Sequence, residues 1–117
     1  MTQGSSDLIA AGDVAGTAVY GADDSKVGTI DRVMIDKVSG KVAYAVMSFG
    51  GVLGVGGDER PVPWDTLTYD TALGGFRTSI TEAQLNEAPA AETGWERNRE
   101  FHDRTHSAYG MTPNFYV

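Results

Sequence analysis

KVGTIDRVMIDKVSGKVAYAVMSF, Lys26 to Phe49, is the stretch that decides the architecture. Its first half is rich in β-branched residues, which favour extended backbone. The apolar parity changes along it: Ile30 falls on an even position, Val33 and Ile35 on odd ones. Strict period-two alternation forbids that change. One extra residue at a β-bulge near Asp31-Arg32 produces it, and bends the strand as small barrels require. Val38-Ser39-Gly40 reads as the end of a tight hairpin loop, with Gly40 supplying a positive φ. The return strand, Lys41 to Phe49, is apolar on both parities: Val42, Tyr44 and Val46 on one, Ala43, Ala45, Met47 and Phe49 on the other. Only one set can fill a barrel, so the other needs cover from another segment or another chain.

Working outward, a short β-rich run lies at Gly16–Gly21, followed by the polar turn Ala22-Asp23-Asp24-Ser25. A glycine-rich connection, Gly50–Gly57, comes after the hairpin, and Glu59–Pro63 and Thr66–Tyr69 read as two further strands. Pro61 and Pro63 sit two apart, so their missing N–H groups point the same way, which suits a sheet edge. Asp70–Gly75 is a turn and Phe76–Ser79 a last strand. Short, closely spaced strands of this kind predict a small, strongly bent antiparallel β-barrel. Thr81 and Gln84 then form a capping box that opens a short helix through Leu85, ended by Ala88-Pro89. Ala90–Gly94 reads as a linker and Trp95–Ala108 as a second helix, closed by Gly110 and Pro113. The expected division is a barrel domain over 1–89 and a helical, aromatic tail over 90–117.

Composition narrows the function classes. The 117 residues are a prior for one domain, and zero cysteines exclude a disulfide scaffold and thiolate metal sites. A net charge of -7 counts against nucleic acid or an anionic membrane surface as partner, since both call for Lys and Arg. The N-terminus has no basic, signal-like region, and no apolar run approaches the ~18 residues that span a bilayer. These features predict a cytoplasmic protein without direct membrane insertion.

The sequence offers three kinds of candidate site. The glycine run lacks the third glycine of a dinucleotide fingerprint: Gly54-Val55-Gly56 is followed at that position by Glu59. Asp58-Glu59 would repel phosphate, and Pro-Val-Pro cannot open the helix that such a cradle needs. The segment therefore reads as a strand connection with Val52, Leu53 and Val55 as apolar tips. His102-Asp103-Arg104-Thr105-His106 places two imidazoles one helical turn apart, as in zinc proteases. The base there would be Asp rather than Glu, and no third histidine follows. The bland alternative sets His102 beside Trp95 and His106 in solvent. No cysteine or G-x-S-x-G offers a nucleophile, and neither Asp23-Asp24 nor Asp58-Glu59 has calcium-loop spacing. No catalytic residue, cofactor or metal is expected.

Aromatics carry more weight. Trp95, Phe101, Tyr109, Phe115 and Tyr116 crowd the end of the chain, and aromatics are favoured interface anchors. The stripe of Trp95, Asn98, His102, Thr105 or His106, and Tyr109 is too polar for a core helix and is expected to lie on a surface. The tail either folds back over Ala43, Ala45, Met47 and Phe49 or meets a second subunit. The expected interaction surface is Val52, Leu53, Val55, Met47, Phe49, Trp95, Tyr109, Phe115 and Tyr116.

Taken in order, Gly16-Thr17-x-Val19-Tyr20, Val27-Gly28-x-Ile30-x-x-Val33-Met34-Ile35-Asp36, Ser39-Gly40-Lys41-Val42-x-Tyr44, Phe49-Gly50-Gly51-x-Leu53-Gly54 and Val62-Pro63-Trp64 resemble the PRC-barrel family. The resemblance runs from about Leu8 to Pro89, and the tail is similar to that of small stand-alone bacterial members. The family includes the cytoplasmic domain of the photosynthetic reaction centre H subunit and a domain of a ribosome-maturation factor. What it implies is a bent β-barrel that acts as an adaptor without catalysis. Neither reaction-centre nor ribosomal work carries over, because the H subunit's anchor and the factor's other domain are missing from this sequence. The expected function is protein–protein contact with an unidentified partner, as a homodimer. A small-ligand or metal module using the glycine loop or His102 and His106 is the alternative.

Overall fold

In the computed structural model, which describes residues 8–49 and 58–111, Asp31 drops out of the ladder between the second and third strands. The strands are β1 (Ala18–Tyr20), β2 (Lys26–Ile35), β3 (Val42–Phe49), β4 (Asp58–Pro63), β5 (Leu67–Asp70) and β6 (Gly75–Thr78). Ile30 pairs with Met47 and Arg32 with Val46, so Asp31 is the extra residue of the bulge expected from the parity change. Its carboxylate accepts a hydrogen bond from the Ser48 hydroxyl. A second bulge lies nearer the turn. Met34 pairs with Tyr44 and Ile35 with Val42, which leaves Ala43 unpaired against β2. The turn itself is closed by Asp36 N–H to Lys41 O and Gly40 N–H to Asp36 O, both 2.8 Å, with Gly40 at φ 78°. The Asp36 carboxylate also accepts from Val38 N–H at 2.9 Å.

The strands form one sheet in the order β4-β3-β2-β1-β6-β5, curled into a half-barrel. Four neighbouring pairs are antiparallel, but β1 and β6 run parallel through Val19–Phe76 and Tyr20–Arg77. The wholly antiparallel expectation is corrected at this pair. β6 returns from a separate β5–β6 hairpin and joins the free side of β1, so its direction is not dictated by a hairpin turn.

β3 is buried on both faces, and two clusters share it. Ala45, Met47 and Phe49 enter the barrel core with Val19, Ile30, Val62, Phe76 and Leu85. Ala43, Tyr44 and Val46 meet Trp95 and Phe101 outside it, with Met34 and Ala91 at the margin. Of the Ala43, Ala45, Met47 and Phe49 set expected under the tail, Ala43 lies with Tyr44 and Val46 beneath Trp95 and Phe101, while Tyr109 joins Ala45, Met47 and Phe49 in the core cluster. The bulge at Ala43 explains why this residue joins Tyr44 on the outer side.

Among the described residues there are three α-helices, α1 (Ala11–Val14), α2 (Glu82–Glu87) and α3 (Arg99–Ala108). α2 opens with the capping box read from the sequence: Thr81 accepts from Gln84 N–H at 3.1 Å while Gln84 accepts from Thr81 N–H at 2.9 Å. The expected helix from Trp95 is divided. Trp95–Arg97 is a 3-10 turn, and Asn98 caps α3 by accepting from Phe101 N–H at 3.0 Å. Asn competes well for that cap and starts a new helix there. Between α2 and Trp95 the linker lies along the edge strand, with Ala91 N–H donating to Glu59 O at 3.4 Å.

β3 approaches β2 closely at Gly28, which sits opposite Val19 of β1. A Cβ there would stand 2.6 Å from Ser48 O and 2.9 Å from the Met47 methyl. Gly28→Ala is expected to cost about 1–3 kcal/mol through overpacking, read as a lower urea midpoint. Gly12→Ala, with nothing within 4 Å, serves as control and should leave the midpoint unchanged or raise it.

Candidate functional site

Tyr44 is the residue from which the seam between sheet and tail is built. It projects from the outer side of β3 and is buried, so its hydroxyl requires a partner. His102 Nδ1 lies 2.7 Å from that hydroxyl, and His102 Nε2 lies 3.0 Å from Glu96 O. A carbonyl only accepts, so Nε2 carries a proton; in the neutral imidazole Nδ1 then accepts and Tyr44 donates. The rings of Tyr44 and His102 are stacked with centroids 5.3 Å apart, and Trp95 meets Tyr44 edge-on at 5.5 Å. His106 donates from Nδ1 to His102 O at 2.7 Å and faces the Tyr44 ring at 5.8 Å.

This arrangement corrects the expectation that α3 lies on a surface with His106 in solvent. Apart from the exposed Asn98, the aromatic-polar stripe is not a surface: Thr105 is buried and His106 is only 1% exposed, whereas solvent was expected around it. Burial is tolerated because the imidazole has a backbone carbonyl partner. The histidines also do not converge on a metal, since both nitrogens of His102 and one of His106 are already engaged. Among the described residues, no group of three or more His, Asp or Glu side chains is arranged to hold a metal ion.

The expected interaction surface changes in the same way. Met47, Phe49, Trp95 and Tyr109 are 0%, 5%, 4% and 8% exposed, so they belong to the chain's interior. Both faces of β3 are filled from within, which leaves these four no free surface. Val52, Leu53, Val55, Phe115 and Tyr116 lie outside the described residues.

Two features went unread in the sequence. Arg77 on β6 clasps two turns, pairing with Asp24 of the β1–β2 turn and with Asp70 at 3.0 Å. Its hydrogen bond, reinforced by Leu73 N–H, holds the Asp70 carboxyl below its ordinary 3.8. Beside the clasp, Ala22, Thr66, Thr68, Arg77, Thr78 and Ser79 line an open groove. The second feature is Arg60 on β4. Its Nε donates to Leu85 O and its Nη1 to Glu59 O, each at 3.1 Å, with the guanidinium 5.4 Å above the Phe49 ring. Tyr109 packs in the same cluster as Phe49 and Leu85, and its buried hydroxyl has no hydrogen-bond partner. Burial pushes that phenol well up, opposed by the charge of Arg60. Thr105 Oγ1 is likewise buried without a partner. No short motif announces either cluster, because each joins residues far apart in the chain.

A curled mixed half-barrel with short helices after its strands defines a small β-barrel module. A family model for the PRC-barrel domain matches residues 6–85, and the chain belongs to that family. No curated protein matches it. Among the described residues, no helix is long and apolar enough to cross a membrane.

Tyr44→Phe removes the donor to His102 Nδ1 and should cost about 0.5–1.5 kcal/mol, measured by denaturant unfolding. Thr105→Val removes an unpartnered buried hydroxyl at constant shape, and should instead stabilise by about 1–3 kcal/mol. For Asp70 the folded carboxyl titrates lower than the unfolded one, so its pairing with Arg77 stabilises above the ordinary carboxylate range and fades as pH falls through the folded midpoint. NMR titration should place that midpoint below 3.8, and Arg77→Gln should move it upward.

Proposed function

We propose that this PRC-barrel protein is a non-enzymatic adaptor, working in the cytoplasm by contact with a protein partner and as a homodimer. The observation that carries the reading is the tip of the β2–β3 hairpin. Ile35 is 55% and Val38 87% exposed there, on a turn fixed by the Asp36 and Gly40 hydrogen bonds. An apolar tip on a fixed turn loses little conformational entropy when it docks, which favours binding. Lys37 and Lys41 flank it, so a partner surface with acidic residues around an apolar centre suits it. The engaged nitrogens of His102 support a positioning role in packing rather than proton transfer.

The test combines Ile35→Ser with Val38→Ser. Both side chains are exposed, so the change in stability should stay within about 0.5 kcal/mol. Capture from the native cell should yield a partner with the wild-type chain that the double variant loses, and sedimentation of the full chain should give a dimer. Equal capture by both proteins overturns the hairpin as contact surface. A monomer that captures nothing above control overturns the adaptor reading itself.

A further inference from the structure

We propose that Arg60 and Tyr109 form a binding site for a carboxylate group, at the seam where β4 meets α2 and α3. Arg60 is half-buried, and both of its hydrogen bonds go to backbone carbonyls, which do not neutralise its charge. Among the described residues no carboxylate lies at ion-pair distance from it, although the chain carries a net charge of -7. A guanidinium has five N–H donors in a planar fork. The two hydrogen bonds leave part of that fork available to a planar, two-oxygen acceptor.

Tyr109 supplies the second, independent observation. More than nine-tenths of it is buried, yet its hydroxyl has no partner. Phenylalanine would pack as well without the cost of an unmet polar group. Thr105, one helical turn earlier, presents another unpartnered hydroxyl on the same side of α3. The guanidinium and the phenol share their surroundings. Arg60 lies over Phe49 and bonds the Leu85 carbonyl, while Phe49, Leu85 and Tyr109 pack in one cluster. A carboxylate accepts only, so it suits cation and hydroxyl together. One guanidinium balances one negative charge, and the acidic chain disfavours a dianion. The ligand is a free small carboxylate or an Asp or Glu side chain of another protein. This site is distinct from the hairpin tip, so its failure would leave the adaptor reading standing.

The experiment is a ¹⁵N NMR titration of the full chain with sodium acetate, against sodium chloride at matched ionic strength. Acetate is expected to shift the Arg60 Nε–H and Tyr109 amide signals saturably, with no such response to chloride. Arg60→Gln should abolish the response, and Tyr109→Phe should weaken binding about tenfold. A blocked tripeptide with one central glutamate forms the second arm. Tighter binding than acetate assigns the site to a protein side chain, and equal or weaker binding to a small carboxylate. Identical responses to acetate and chloride overturn the proposal, as does a response that survives Arg60→Gln. Should that variant fail to fold, the wild-type comparison of the two salts decides alone.

Discussion

The constraint on which the rest of the structure depends is that β3 must be buried on both of its faces. A half-barrel offers one interior, and Ala45, Met47 and Phe49 occupy it. Tyr44 and Val46 would otherwise lie in water, so the chain brings Trp95 and Phe101 back over them. The fold is thus a sheet with two cores, one enclosed by its curl and one beneath the tail. Burying a large side chain is worth about 1.5–3 kcal/mol, so leaving the outer set uncovered would remove a substantial share of a small domain's stability.

Covering an apolar face with a polar helix creates its own difficulty. α3 and its C-cap Tyr109 carry His102, Thr105, His106 and the Tyr109 phenol toward the protein, and each polar atom needs a partner. The histidines find theirs in Tyr44, in Glu96 O and in α3's own backbone. The hydroxyls of Thr105 and Tyr109 do not. The seam is therefore well matched near Tyr44 and poorly matched toward Arg60. That gradient along one helix separates the part that holds the tail in place from the part with unused binding capacity.

Much of the fold is legible in local pattern. The parity change at Ile30–Val33 locates the Asp31 bulge, Gly40 marks the turn, and Thr81 with Gln84 marks the start of α2. What stays hidden is what depends on partners distant in sequence. Nothing around Ala43 signals a second bulge, because alanine suits either face. A two-sided strand does not say which parity faces inward, and strand composition cannot give β6 its direction beside β1. Polar residues on α3 argue for exposure when read alone. Their burial depends on a tyrosine 58 positions earlier than His102. The candidate site was less legible than the fold for the same reason: Arg60 and Tyr109 come to share Phe49 and Leu85 as neighbours only once two helices have packed.

The linker between α2 and Trp95 has a consequence for how these molecules behave in a crowded solution. A free sheet edge is a template on which another strand can add. At β4, Pro61 and Pro63 remove two donors, and the Glu59 carbonyl is occupied by Ala91 N–H. The same seven or so residues that carry the chain to its second core therefore guard an edge against indiscriminate self-assembly. Truncation ahead of Ala91 would strip that guard as well as the aromatic cover, exposing backbone and apolar surface in a single cut.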